Sequence, residues 1–229
     1  MPKNNTRWLN LVEKSSRDDR FEFPKPSQTY YELLEGRLSW LSTVDIQKVC
    51  DILINSKVVF TAGNGGSSGN ASHLACEIQK GCGIPTVCLN ESIQLITAWS
   101  NDYGYVDAAR GQYSVLSTSV TGPHTVVVFS GSGESGNLVR LVEDAIVAGA
   151  HVIAFTGYDN RNSEGGYHNT LDMLCKNYDK GVSLCVGISK WIPDTEKVNS
   201  IGMQISEDLH ASLVHMIYLE LERLVRSGK

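Results

Sequence analysis

The chain has 229 residues, enough for one large domain or two small ones and for a full hydrophobic core. Twenty Lys and Arg stand against 25 Asp and Glu, a net charge of −5, which speaks against nucleic acid as a partner. Apolar runs such as Thr125 to Phe129 fall far short of the roughly 18 residues a membrane span needs, and residues 1–5 lack the apolar core of a signal peptide. The expectation is a cytoplasmic protein with no membrane partner.

Residues 1–28 are polar and charged, with Phe21 and Phe23 beside Pro24 and Pro26, and read as an extended N-terminal arm. From Ser27 to about Asn55, apolar residues at Tyr30, Leu33, Leu34, Leu38, Leu41, Val44, Val49, Ile52 and Leu53 follow a helical period. That pattern predicts two helices, or one broken near Gly36 or Ser42. Beyond Ser56, short apolar runs alternate with Gly/Ser-rich punctuation and helical patterns: Val58 to Ala62, Thr86 to Leu89, Thr125 to Phe129, His151 to Phe155 and Leu184 to Ile188. This is the texture of an α/β, doubly wound, five-stranded parallel sheet flanked by helices. Gly157 to Asn169 reads as a long loop, and Thr195 to Arg226 as one long amphipathic helix, so that residues 29–229 make a single domain. The six cysteines form no CxxC pair and read as reduced and mostly buried.

Two turns carry the chemistry. The first strand runs into Gly63-Asn64-Gly65-Gly66-Ser67-Ser68-Gly69 and then a helix over Asn70 to Gln79. A loop free of bulky side chains lets backbone N–H groups reach a ligand, and a helix N-terminus favours an anion, so phosphate is the natural guest. The glycine spacing is neither that of a dinucleotide fingerprint nor that of a Walker loop. The third strand ends in Ser130-Gly131-Ser132-Gly133-Glu134-Ser135-Gly136, followed by a helix from about Asn137 to Ala148. Tight strand-to-helix turns collect Gly and Ser for purely structural reasons, but two of them on one sheet point to a phosphorylated metabolite.

The motifs Gly63-Asn64-Gly65-Gly66-Ser67, Ala98-Trp99-Ser100-Asn101-Asp102-Tyr103-Gly104-Tyr105 and Ser130-Gly131-Ser132-Gly133-Glu134-Ser135 resemble, in order, the signatures of the SIS (sugar isomerase) domain family, most closely its phosphoheptose isomerase branch. The resemblance covers roughly residues 30 to 226. It implies a flavodoxin-like sheet with an N-terminal helical extension, and a homotetramer with active sites between subunits. It also implies conversion of sedoheptulose 7-phosphate to D-glycero-D-manno-heptose 7-phosphate. Asn64, Gly65, Ser67, Asn101, Asp102, Ser130, Ser132, Ser135 and Glu207 are the substrate-binding positions it suggests.

His73 and Glu77 lie four residues apart on the helix after the first turn, which puts them on one face about 6 Å apart. The family has His and Glu at these positions and completes a zinc site from the last helix with a Gln and, eight residues later, a His. Aligning that His with His215 puts Glu207 in the Gln position, with His210 matching a further family His. The resemblance thus implies one Zn²⁺ per chain on His73, Glu77, Glu207 and His215. Eight residues of helix rise about 12 Å, however, and helical phase alone prefers Asp208, seven residues from His215. Both acids stay open as ligands. An aldose-ketose isomerase moves a proton between neighbouring carbons through a cis-enediol; Glu77 is the expected base and His215 the expected acid, with zinc polarising the carbonyl.

Gly131 stands where the family often has Thr, Lys80 precedes Gly81 where a basic residue commonly follows the helix, and the stretch from Gly157 to Pro193 is long. A non-catalytic phosphosugar sensor or protein-binding regulator on the same domain is the alternative reading.

Overall fold

The structure is a computed structural model that describes residues 26–159, 168–188 and 196–228. Most of the expected arm and parts of the stretch from Gly157 to Pro193 therefore lie outside the described residues. The chain divides into two units, one ending at Gly36 and one running from Arg37 to the end. Of the first, the opening turns of α1 (Pro26–Leu41) are described. Pro26 stands at the first helical position, where its missing N–H costs nothing.

Within the second unit, the helical preamble breaks after Leu41 rather than at Gly36, and α2 follows at Gln47–Ile54. The elements then alternate: β1 (Val59–Gly63), α3 (Gly66–Cys82), β2 (Thr86–Cys88), α4 (Ile93–Tyr103), α5 (Tyr105–Ser117), β3 (Thr125–Ser130), α6 (Gly136–Val147), β4 (His151–Thr156), α7 (Thr170–Lys176), β5 (Gly181–Cys185) and α8 (Glu196–Arg226). The strands pair in the order β2-β1-β3-β4-β5, every neighbouring pair parallel. This is the doubly wound, flavodoxin-like sheet the sequence predicts.

The fifth strand differs from its expected place. Gly181 to Cys185 pairs with Val152 to Thr156, whereas Leu184 to Ile188 was expected. Gly181 is pressed so closely on the carbonyl of Cys175 that no Cβ fits there, which sets the register. The apolar residues Val186 and Ile188 stay buried beyond the sheet, their N–H groups bonded to Thr156 and Gly157 carbonyls.

Parallel strands covered on both faces are apolar on both, and alternate residues feed two cores. Val127, Phe129, Ile153 and Phe155 pack against Val49 and Leu53 of α2, Leu74 and Ile78 of α3, and Leu213, Ile217 and Leu221 of α8. Phe60, Val126, Val128 and Ala154 pack against Tyr113 of α5, Leu138 and Leu141 of α6, and Leu171 of α7. The four-residue spacing of Ile205, Leu209, Leu213, Ile217 and Leu221, all fully buried, fixes α8 on the sheet. Among the described residues no helix is long and apolar enough to cross a membrane.

The chain leaves β1 toward β2 on one side and returns to β3 on the other. The strand order therefore reverses between β1 and β3, and a crevice opens at their carboxyl ends. Both glycine/serine turns lie at that crevice.

Candidate active site

The first turn is built by close approach. At Gly63 a Cβ would meet the main chain of Ser67 and Ser68, because α3 starts as early as Gly66 and folds straight back on the strand. Gly65 makes the reversal at φ 56°, where a side chain is strained. Asn90, just after β2, clasps both main-chain groups of Gly63, accepting its N–H at 2.9 Å and donating to its carbonyl at 3.0 Å.

The second turn is held by its own hydroxyls. Ser130 Oγ accepts the Gly133 N–H at 3.0 Å and Ser132 Oγ accepts the Glu134 N–H at 3.2 Å, while the Ser135 hydroxyl does not cap α6. Each serine keeps its own O–H for donation. The Gly131 carbonyl takes the N–H groups of Gly157 and Tyr158, and Glu134 turns its carboxylate to the N–H of His168. Gly131 has a plain reason to be glycine: the sulfur of Met203 on α8 occupies the place of a Cβ. The missing threonine is thus exchanged for a methionine from another helix.

The turns are tied to each other. Asn64 of the first and Asn137, one residue into α6 beyond the second, exchange two amide hydrogen bonds of 2.9 Å, and the Tyr105 hydroxyl donates to Asn64 Oδ1 at 2.7 Å. Neither Tyr105 nor Asn137 was among the expected site residues. Their only signal in the sequence is an Asn directly after the second Gly/Ser cluster and a Tyr ending the Asn101–Tyr105 motif. Asn101 and Asp102 lie exposed on the last turn of α4, where Asn101 donates to Asp102 at 2.8 Å.

Further along α3, the residues expected to act as base and acid gather. His73 Nε2 and His215 Nε2 stand 2.9 Å apart, with rings 5.0 Å apart and nearly perpendicular, and Glu77 Oε1 is 3.9 Å from His73 Nε2. A hydrogen bond between them has one Nε2 donating and the other accepting, the roles set by the tautomers. His73, Glu77 and His215 therefore meet within one chain.

Glu207 does not join them. Its carboxylate lies on Gly66 at the start of α3, where a Cβ would collide with it. Its main-chain carbonyl takes Asn70 Nδ2 at 2.9 Å. Burial pushes its carboxyl up, the Ser67 N–H works against that, and neighbouring Asp208 adds to the rise. Asp208 is exposed, one position round the helix from this contact. His210 is fully buried between Phe129 and Phe155, with ring distances of 6.0 and 5.8 Å, and its Nε2 faces the Thr156 carbonyl at 3.3 Å. Among the described residues no three of His, Cys, Asp and Glu are placed to hold a metal ion. The four-donor zinc set does not fit as a unit: its members fall into a His73–Glu77–His215 cluster and a separate Glu207 contact two turns away on α8.

Fold and crevice together define a SIS-domain α/β protein. The model of the SIS domain family matches residues 44–157, from the end of α1 through β4, and the chain belongs to that family. It is similar to the phosphoheptose isomerase of Colwellia psychrerythraea, at 30% identity over 118 residues, covering 49% of this chain and 59% of the relative. It is also similar to that of Burkholderia pseudomallei, at 34% over 128 residues, covering 52% and 62%. The chain thus spans about three fifths of the length of these relatives. Among solved structures, phosphoheptose isomerase GmhA from Neisseria gonorrhoeae superposes with a TM-score of 0.66 at 22% identity, covering 86% of this chain and 97% of that one. A phosphoheptose isomerase from Francisella tularensis gives 0.58 at 20%, covering 96% and 100%. At such identities the structural likeness speaks for the fold.

Proposed function

We propose that the protein is an aldose-ketose isomerase of phosphosugars, with sedoheptulose 7-phosphate as substrate and D-glycero-D-manno-heptose 7-phosphate as product. The observation that carries the reading is the meeting of Glu77, His73 and His215 beside a crevice whose other wall is a serine-rich turn. A sensor needs the turn; it has no use for a base and an imidazole pair. The named relatives support the same reading.

In this mechanism the hydroxyls of Ser130, Ser132 and Ser135 donate to the phosphate. Glu77 takes the proton from the carbon next to the carbonyl and returns it to the neighbouring carbon. The proton shared by His215 and His73 moves between the two sugar oxygens, so that the enediol forms and collapses with no net gain or loss of protons. Imidazole suits this exchange because its two ring nitrogens can donate and accept in turn. Zinc, implied by the family likeness, belongs to the proposal but enters none of these steps. Assembly as a homotetramer in the cytoplasm is proposed on the same likeness.

Proton NMR of sedoheptulose 7-phosphate with the purified protein, with and without chelator, tests the reading. Appearance of the aldose signals supports it, and the chelator arm reads metal dependence. Tight binding without turnover in either arm would establish the sensor instead.

A further inference from the structure

The first-turn N–H groups of a helix and its dipole favour one negative charge. In α3 the chain supplies that charge itself. The Glu207 carboxylate sits on Gly66, where a Cβ would meet it, and Asn70 holds the Glu207 carbonyl at 2.9 Å. The two helices run side by side in the same sense, with Glu207 at Gly66, His215 at His73 and Tyr218 at Gly81. Eight residues of α8 separate Glu207 from His215 by about 12 Å, and seven residues of α3 separate Gly66 from His73 by about 10 Å. They are successive rungs of one ladder. In the serine turn, by contrast, the single acid, Glu134, is turned away to the His168 N–H.

We propose that Glu207 is a specificity-determining and positioning residue, the resident anion of the first turn, which keeps a ligand's phosphate off the α3 N-terminus and leaves it to Ser130, Ser132 and Ser135. The inference rests on the phosphosugar reading and gives the substrate a polarity: phosphate at the β3 turn, uncharged sugar end along α3. It also takes Glu207 out of the zinc set.

Calorimetric titration of inorganic phosphate into the full chain tests it. The parent binds one phosphate, weakened in Ser132→Ala. Glu207→Ala gains a second phosphate per chain or tightens binding on the order of tenfold, the scale of a charge-assisted hydrogen bond set free. Glu207→Gln, which keeps the shape, gains less in the same direction and decides the matter if the alanine variant does not fold. Phosphate binding equal to the parent in both variants overturns the proposal. Equilibrium dialysis against zinc gives equal uptake by parent and Glu207→Ala, which leaves no donor at the position; a loss confined to the variant overturns it. In turnover, kcat and KM of Glu207→Ala fall by the same factor, because phosphate also settles unproductively on α3, whereas a loss in kcat alone overturns it. A parent with no isomerase turnover refutes the phosphosugar reaction while leaving the phosphate and zinc titrations to decide the seat.

Discussion

In the proposed reaction Glu77 is the base. Replacing it by Gln keeps the shape and removes the base, so turnover is expected to fall at least about a hundredfold while phosphosugar binding stays near the parent's. Steady-state kinetics with a binding isotherm checks this; undiminished turnover would remove Glu77 from the mechanism. His210 gives a second expectation. Burial pushes its imidazole down to about 4, against about 6.5 in an unfolded chain, so the folded state binds its proton less readily. The stability this contributes is present above about pH 6.5 and is lost as pH falls toward 4, at about 1.4 kcal/mol per unit. Denaturant unfolding between those values shows the slope, and His210→Leu flattens it. The His73–Glu77 pair was legible because spacing on one helix is local information. Asn90, Tyr105 and Asn137 were not, because their partners are brought to them only by the crossovers that set β2 and β3 beside β1.

At the scale of elements, the glycines report what is packed on them. A Cβ at Gly63 would drive into the main chain of Ser67, and Gly63→Ala is expected to lose about 1–3 kcal/mol in urea unfolding, the range for overpacking. Gly131 is different, since its neighbour is the flexible end of Met203. Gly131→Thr should destabilise alone and be relieved by Met203→Ala, a coupling of about 1 kcal/mol or more in a double-mutant cycle. Additive effects would mean that the methionine does not stand in for the threonine. The pattern of apolar runs placed four strands within a residue or so and misplaced β5 because Val186 and Ile188 are as buried as strand residues. Apolar character marks burial, and only backbone pairing marks a strand. The α3 N-terminus likewise began inside the glycine turn, where low helix propensity is overridden by the close return onto β1.

At the scale of the whole molecule, the doubly wound sheet was legible because parallel strands buried on both faces leave a strong, simple imprint. Assembly leaves a fainter one. Helix α4 has no buried residue, yet carries Ile93 at 69% exposure, Leu95 at 46% and, at its end, Tyr103 at 65%. Trp99 lies over Gly111 of α5, and Tyr103 packs on Trp99 with ring centroids 5.0 Å apart. A second copy of the chain covering this face is the expected arrangement. Sedimentation should give four chains of 25.1 kDa, about 100 kDa, for the parent. Ile93→Asp with Leu95→Asp should shift the mass downward without loss of helix content. Because His73 and His215 meet within one chain, their 2.9 Å pairing should outlast dissociation. A through-space NMR contact between the two imidazole rings in the dissociated variant would show this. Loss of that contact in the smaller species would instead mean that the neighbouring chain holds the rings together.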